Sequence, residues 1–224
     1  MLLTLFSLQA PGIWLLLSLL ASMLLLLLTQ QIAPAWRARL TIGLWVGIPY
    51  LGLLLGGLSP RLIGLSDVDW VASLGLGLGL LFIMVLLLVL VRSTTNMPRA
   101  NSLPTHTPLA TFLLQVINNG VQEFHWCFYR GAIWELLQMM PNPPALPAYW
   151  AVWLAALLAM PGALIRAGHA TQRLFIISVL IATTVLFFYT HNFWLCWLLH
   201  TAAWFIVKPE RTPNLLRHSV NQPR

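Results

Sequence analysis

"VQEFHWCFYRGAIWE", residues 121–135, sets Glu123, His125, Arg130 and Glu135 in a run otherwise built mostly from aromatic and aliphatic side chains. Whether this run sits in water or in lipid decides the fold. The chain of 224 residues is 59% hydrophobic and 8% charged, whereas soluble domains carry about 25% charged residues. So few charges cannot cover a water-exposed surface, so the solvent around these helices is lipid. The expected fold class is all-α: a polytopic membrane helix bundle with about seven transmembrane helices.

A membrane-crossing helix needs about 20 mostly apolar residues. Working outward from 121–135, the segments that fit are 11–33, 40–58, 70–91, 109–139, 147–165, 173–190 and the shorter 193–207. Most Pro and Arg residues fall in the breaks between them, and Trp36, Trp70, Trp150, Trp153 and Trp194 fall near segment ends, as an aromatic belt requires. The net charge of +7 reads as topology and not as nucleic-acid binding. With seven spans, Arg37, Arg39, Arg92, Arg99, Arg166, Arg173, Lys208, Arg211, Arg217 and Arg224 share one side, opposite Arg61. The positive-inside rule then places the N-terminus outside and the C-terminus in the cytoplasm, with a bacterial cytoplasmic membrane as the expected location. "MLLTLFSLQAPGIW" carries no basic n-region or small-residue cleavage site before Arg37, so it is expected to be a retained helix and not a signal peptide.

Glycines four apart, Gly43 with Gly47, Gly52 with Gly56 and Gly75 with Gly79, mark close helix packing. The expectation is that spans two and three pack on each other; a docking face for another membrane protein is the alternative. Cys127 and Cys196 lie in apolar runs and read as small buried fillers.

Ionisable residues inside a membrane each cost about 2.5–3.5 kcal/mol on insertion scales, so each needs a partner or a function. Glu123 and Arg130 are seven residues apart, two turns along one helical face, which suits a charge-balancing pair. Asn118 and Asn119 lie a turn earlier, and Glu135 lies beyond. His125, His169 and His200 fall on three different segments and are the candidate ligands for a zinc ion, for haem iron or for a chlorophyll-type magnesium. His106, His191 and His218 sit at loop edges or in the tail and read as solvated.

The order of these residues resembles the CPBP intramembrane metalloproteases, the CAAX-protease or Abi family. That family's pattern is Glu-Glu-x-x-x-Arg, often followed by Gly, then Phe-x-x-x-His at a helix end, then His-x-x-x-Asn. "HWCFYRG" (125–131) is similar to the first motif, "IRAGH" (165–169) to the second and "THNFWLCWLLHTAAW" (190–204), with Asn192 and His200, to the third. The resemblance covers about 108–207 and implies a CPBP-like four-helix core there. Residues 1–107 would then supply three N-terminal helices for packing or docking, and 208–224 a basic cytoplasmic tail. The departures are chemical. His125 and Trp126 stand where the family has the glutamate pair that activates water, and Trp204 stands for the final asparagine. Glu123 is the one weak substitute for a catalytic base, about 200° around the helix from the family position.

The resulting expectation is a degenerate CPBP-like protein, with lipid and other membrane subunits as its partners and no nucleic acid. Two alternatives stay open: an active endopeptidase of CAAX-protease type using Glu123 or His125, and a carrier of haem or a chlorophyll-type pigment on His125 or His200. A retinal protein would need a lysine inside the bundle, and the chain's lysine, Lys208, follows the last span. No inverted repeat or paired broken helices point to a transporter.

Overall fold

The computed structural model describes residues 7–28, 31–94, 109–167 and 170–207. Among these residues the regular elements are all helices: α1 (Pro11–Leu27), α2 (Pro34–Leu54), α3 (Trp70–Thr94), α4 (Leu109–Gln138), α5 (Pro147–Arg166), α6 (Ala170–Thr190) and α7 (Phe193–Val207). A helix satisfies its backbone groups internally, which hydrocarbon demands. α1, α2 and α5 begin on proline, whose missing N–H costs nothing in a first turn. α3 and α7 begin instead on side-chain caps. Asp69 Oδ1 accepts from the Ala72 N–H at 3.0 Å, and Asn192 Oδ1 accepts from Trp194 and Leu195 at 2.9 and 3.3 Å.

The described residues form seven helices, but fewer of them than the expected seven are long and apolar enough to span a membrane. Among the described residues three helices, α3, α5 and α6, are long and apolar enough to cross a membrane. α1 and α7 are apolar but shorter, at 17 and 15 residues. α2 opens with Arg37 and Arg39, and α4 carries polar side chains through its middle, which lowers the hydropathy of both. The outer faces are apolar: on α3, Val71 is 87% and Phe82 63% exposed. Surfaces of this kind belong against lipid, so the protein is membrane-embedded.

α4 is the axis of the bundle. Every residue from 125 to 133 is buried, and α1, α2, α5 and α7 all pack on this helix. α3 packs elsewhere, on α6 and α7. This corrects the expectation that spans two and three pack on each other: α2 and α3 share no substantial contact. The cause is the 55–69 connection, which folds in over the end of α4 and buries Leu58 and Ile63. A Cβ added at Gly131 would stand 2.5 Å from Ile63 Cγ2, so only glycine lets the connection reach α4. On its other side Gly64, at φ +73°, gives its carbonyl to the Phe193 N–H at 3.1 Å. The connection is thus wedged between α4 and the α6–α7 corner and carries α3 away from α2. Within the described residues of 1–107, α1 and α2 pack on α4 whereas α3 packs on α6 and α7, and the tail 208–224 lies outside the described residues.

The glycine reading changes in the same way. Gly43, Gly47, Gly75 and Gly79 face open space, with nothing within 4 Å of an added Cβ. Gly52 sits against Trp14 at 3.1 Å, together with Gly57, which the spacing rule does not pick out. Gly56, at φ +73°, ends α2 as a left-handed cap, and the next N–H, of Gly57, returns to the Gly52 carbonyl at 2.9 Å. The close helix contact made by glycine on α3 is at Gly77, against Leu195 and Thr190.

Substituting Gly131 by valine should lower stability by about 1–3 kcal/mol through overpacking against Ile63, read as thermal unfolding in detergent. Gly75→Ala, in open space, should stay within about 0.5 kcal/mol of the parent. Equal effects at the two positions would remove the wedge from the account.

Candidate functional site

Among the described residues the most buried charges sit where α4, α6 and α7 meet. Glu123 is 0% and Arg130 1% exposed. Arg130 Nη1 donates to Glu123 Oε1 at 2.8 Å, an ion pair that closes two turns of one helix. Its other arm, Nη2, donates to Thr183 Oγ1 at 3.0 Å and to Thr184 Oγ1 at 3.5 Å on α6. The guanidinium carbon lies 5.1 Å from the Phe187 ring centroid, and Nη1 reaches Cys127 Sγ at 3.3 Å. A planar fork with donors on two sides does this; a lysine ammonium could not hold both helices. The second carboxylate oxygen of Glu123 lies 3.1 Å from His200 Nδ1 on α7. One carboxylate therefore joins α4 to α7 directly and to α6 through Arg130.

The three candidate histidines part company here. His200 packs its ring on Trp126 at 5.0 Å and spends Nδ1 on Glu123. His125 faces α1 and α2: its ring stacks on Trp45 at 4.8 Å, packs on Tyr129 at 4.5 Å, and its Nε2 stands 3.5 Å from Ser22 Oγ. His169 lies outside the described residues. Among the described residues no three His, Cys, Asp or Glu side chains converge as a metal site would require. Of the candidate zinc ligands, the two that are described face different neighbours, His125 towards Trp45 and Ser22 and His200 towards Glu123. A porphyrin-type ligand on His125 would have to displace Trp45 or Tyr129, whose rings cover it.

Asn192 and Glu135 are joints between elements. Asn192 is fully buried, caps α7 and donates from Nδ2 to Ser73 Oγ of α3 at 3.0 Å. Glu135 Oε2 accepts from the Ser59 N–H at 3.2 Å and pins the inserted connection to α4. Glu123 can act as a general base only if water reaches an oxygen free to take its proton. Both of its oxygens are engaged, and none of the side chain is exposed.

Two cavities flank this centre. One, of about 330 Å³, opens between α1, α2, α4 and α5 and is lined by Ser22, Trp45, His125, Trp126 and Tyr129 among aliphatic side chains. The other, of about 690 Å³, lies at the end of the bundle under the 55–69 connection. Arg61, Asp67, Asp69, Trp134, Glu135 and His191 line it. His191 and Asp67 both adopt left-handed backbone, φ 45° and 52°. Partial burial of the imidazole lowers the pKa of His191. Sequence reasoning missed this second cavity, although the signal was present: both of the chain's aspartates lie within three residues of each other in "SDVD". No family model, curated protein or solved structure matches the chain.

Replacing Glu123 by Gln leaves Arg130 buried without a counter-charge and should cost about 3–5 kcal/mol. His200→Ala, which removes one hydrogen bond to a buried carboxylate, should cost about 1–3 kcal/mol. The double change Glu123→Leu with Arg130→Met should recover most of the first loss, because an apolar pair of similar volume needs no partner. Thermal unfolding in one detergent ranks the three. A double variant as unstable as Glu123→Gln would show that the ion pair is not the source.

Proposed function

We propose that this protein is a CPBP-like membrane bundle of seven spans whose polar centre serves structure, acting as an accessory or assembly subunit of a membrane protein complex. The observation that carries the reading is the complete engagement and burial of the Glu123 carboxylate, between Arg130 and His200. His125 and Trp126, which replace the family's glutamates, support it by packing on Trp45 and His200 instead of facing each other across a water site. The open glycine faces at Gly43, Gly47, Gly75 and Gly79 suit close approach by another membrane helix. In this reading the N-terminus is outside and the C-terminus cytoplasmic, in a bacterial cytoplasmic membrane.

A CAAX-type endopeptidase is the second reading. The cavity of about 330 Å³ beside His125 and Trp126 favours it, because that is where the resemblance would put the scissile bond. Purification in mild detergent followed by native mass spectrometry, metal analysis and a membrane-peptide cleavage assay separates the two. The accessory reading expects a stoichiometric heteromeric complex and no cleavage. Cleavage that Glu123→Gln abolishes in folded protein, with metal bound, would overturn it in favour of the enzyme.

A further inference from the structure

The cavity of about 330 Å³ is entered from the side of the bundle. Its flanking helices α1 and α5 make little contact with each other. On its rim, Met23 of α1 and Ile165 of α5 are 60% and 66% exposed. In a membrane-embedded bundle that rim meets acyl chains, so an occupant arrives from the lipid phase. Among the described residues that line the cavity none is Asp, Glu, Lys or Arg. A fatty-acid carboxylate or a phospholipid headgroup would lie there without a counter-charge, which is costly. The lining therefore selects a neutral ligand.

Flat rings form the inner wall. Trp45, Trp126 and Tyr129 are all buried and line the space, and Trp45 lies within 12° of parallel to His125 at 4.8 Å. Planar walls suit a planar ring better than a flexible chain. One polar pair stands among them: Ser22 Oγ lies 3.5 Å from His125 Nε2, at the long limit of hydrogen bonding. The pair has two forms. With the proton on Nε2, the imidazole donates to Ser22 Oγ and the hydroxyl hydrogen is left for a carbonyl oxygen. With the proton on Nδ1, Nε2 accepts from the hydroxyl, and the Ser22 lone pairs are left for a ligand O–H. A ligand whose ring oxygen is a carbonyl in one state and a hydroxyl in another is met by both forms.

We propose that this cavity binds the ring of an isoprenoid quinone or its quinol, with one ring oxygen on the Ser22 hydroxyl and the tail leaving between α1 and α5 into lipid. Its volume is near the lower end of ligand pockets, about 300 Å³, which suits one ring and the start of its tail. Diacylglycerol is also neutral and offers carbonyl and hydroxyl oxygens, but it has no flat ring for the aromatic wall. The inference stands beside either reading of the function, because binding is counted with no cleavage step.

The test uses the full chain in nanodiscs doped with equal small amounts of a short-chain ubiquinone and dioleoylglycerol, with protein-bound molecules counted by native mass spectrometry. A parallel sample carries the reduced quinol under anaerobic conditions. Enrichment of the quinone about tenfold over its bulk fraction is expected, with the quinol within about threefold of it. Ser22→Ala should lower the enrichment about threefold or more through loss of the hydrogen bond. Gly162→Leu, which fills the α5 wall of the cavity, should return it to bulk. Ser22 gives up one long contact in the first variant, so the unfolding temperature should hold. If Gly162→Leu unfolds, Ser22→Ala decides. Quinone at its bulk fraction, dioleoylglycerol enriched in its place, binding of one redox form alone, or undiminished binding in folded Ser22→Ala overturns the proposal.

Discussion

The carboxylate of Glu123 is the point on which the bundle depends. Lipid cannot drive helices together as water does, because the outside is as apolar as the inside. Specific association must come from close packing and from polar groups whose alternative is an unpaired charge in hydrocarbon. Glu123 supplies one such group to two elements at once: His200 on α7 and Arg130, which carries the link on to Thr183 and Thr184 of α6. Once Arg130 is committed to the interior, every helix that gives it a partner is fixed in rotation about its own axis. A turn of α6 by one residue would take both threonines away from the fork.

The rest of the architecture follows from a helix with no free side. Because α4 is enclosed along 125–133, α1, α2, α5 and α7 compete for its surface, and α3 is left to pack on α6 and α7. The 55–69 connection makes this possible by lying across the end of α4 at Gly131, where a side chain would block it. Asn192 then ties α3 to α7 through Ser73, using the same amide that caps α7. The joints are few and polar, set among broad apolar contacts, so each has a large effect on which helix lies where.

The two cavities differ in kind because of where they fall. The one beside His125 opens among aliphatic and aromatic side chains of α1, α2, α4 and α5, and its polar atoms are those of Ser22, His125 and the neighbouring aromatics. The one under the connection lies at the bundle's end and gathers carboxylates and a guanidinium from loop and helix terminus, where charge can be hydrated. Chemistry that needs ions is better served by the second, although motif resemblance directs attention to the first.

Sequence by itself determined the medium, the helices and the existence of a buried polar set. Charge content fixes the solvent, proline and apolar runs fix where helices begin, and a seven-residue spacing puts Glu123 and Arg130 on one face. It also singled out Asn192 and Glu135, without saying what each would hold. Which helices those charges join was decided only by tertiary structure, because a helix reports its own face but not its neighbour. So Thr183 and Thr184 look like ordinary helix residues until α6 packs beside α4, and His125 and His200 look like a ligand pair until Trp45 and Glu123 separate them. Glycine spacing misled for the same reason: Gly43 and Gly75 have the small-residue period but meet nothing, while Gly131, in no such pattern, takes the closest approach of all on α4. A period records what a surface permits, and the fold of the 55–69 connection chose which of the permitted contacts were made.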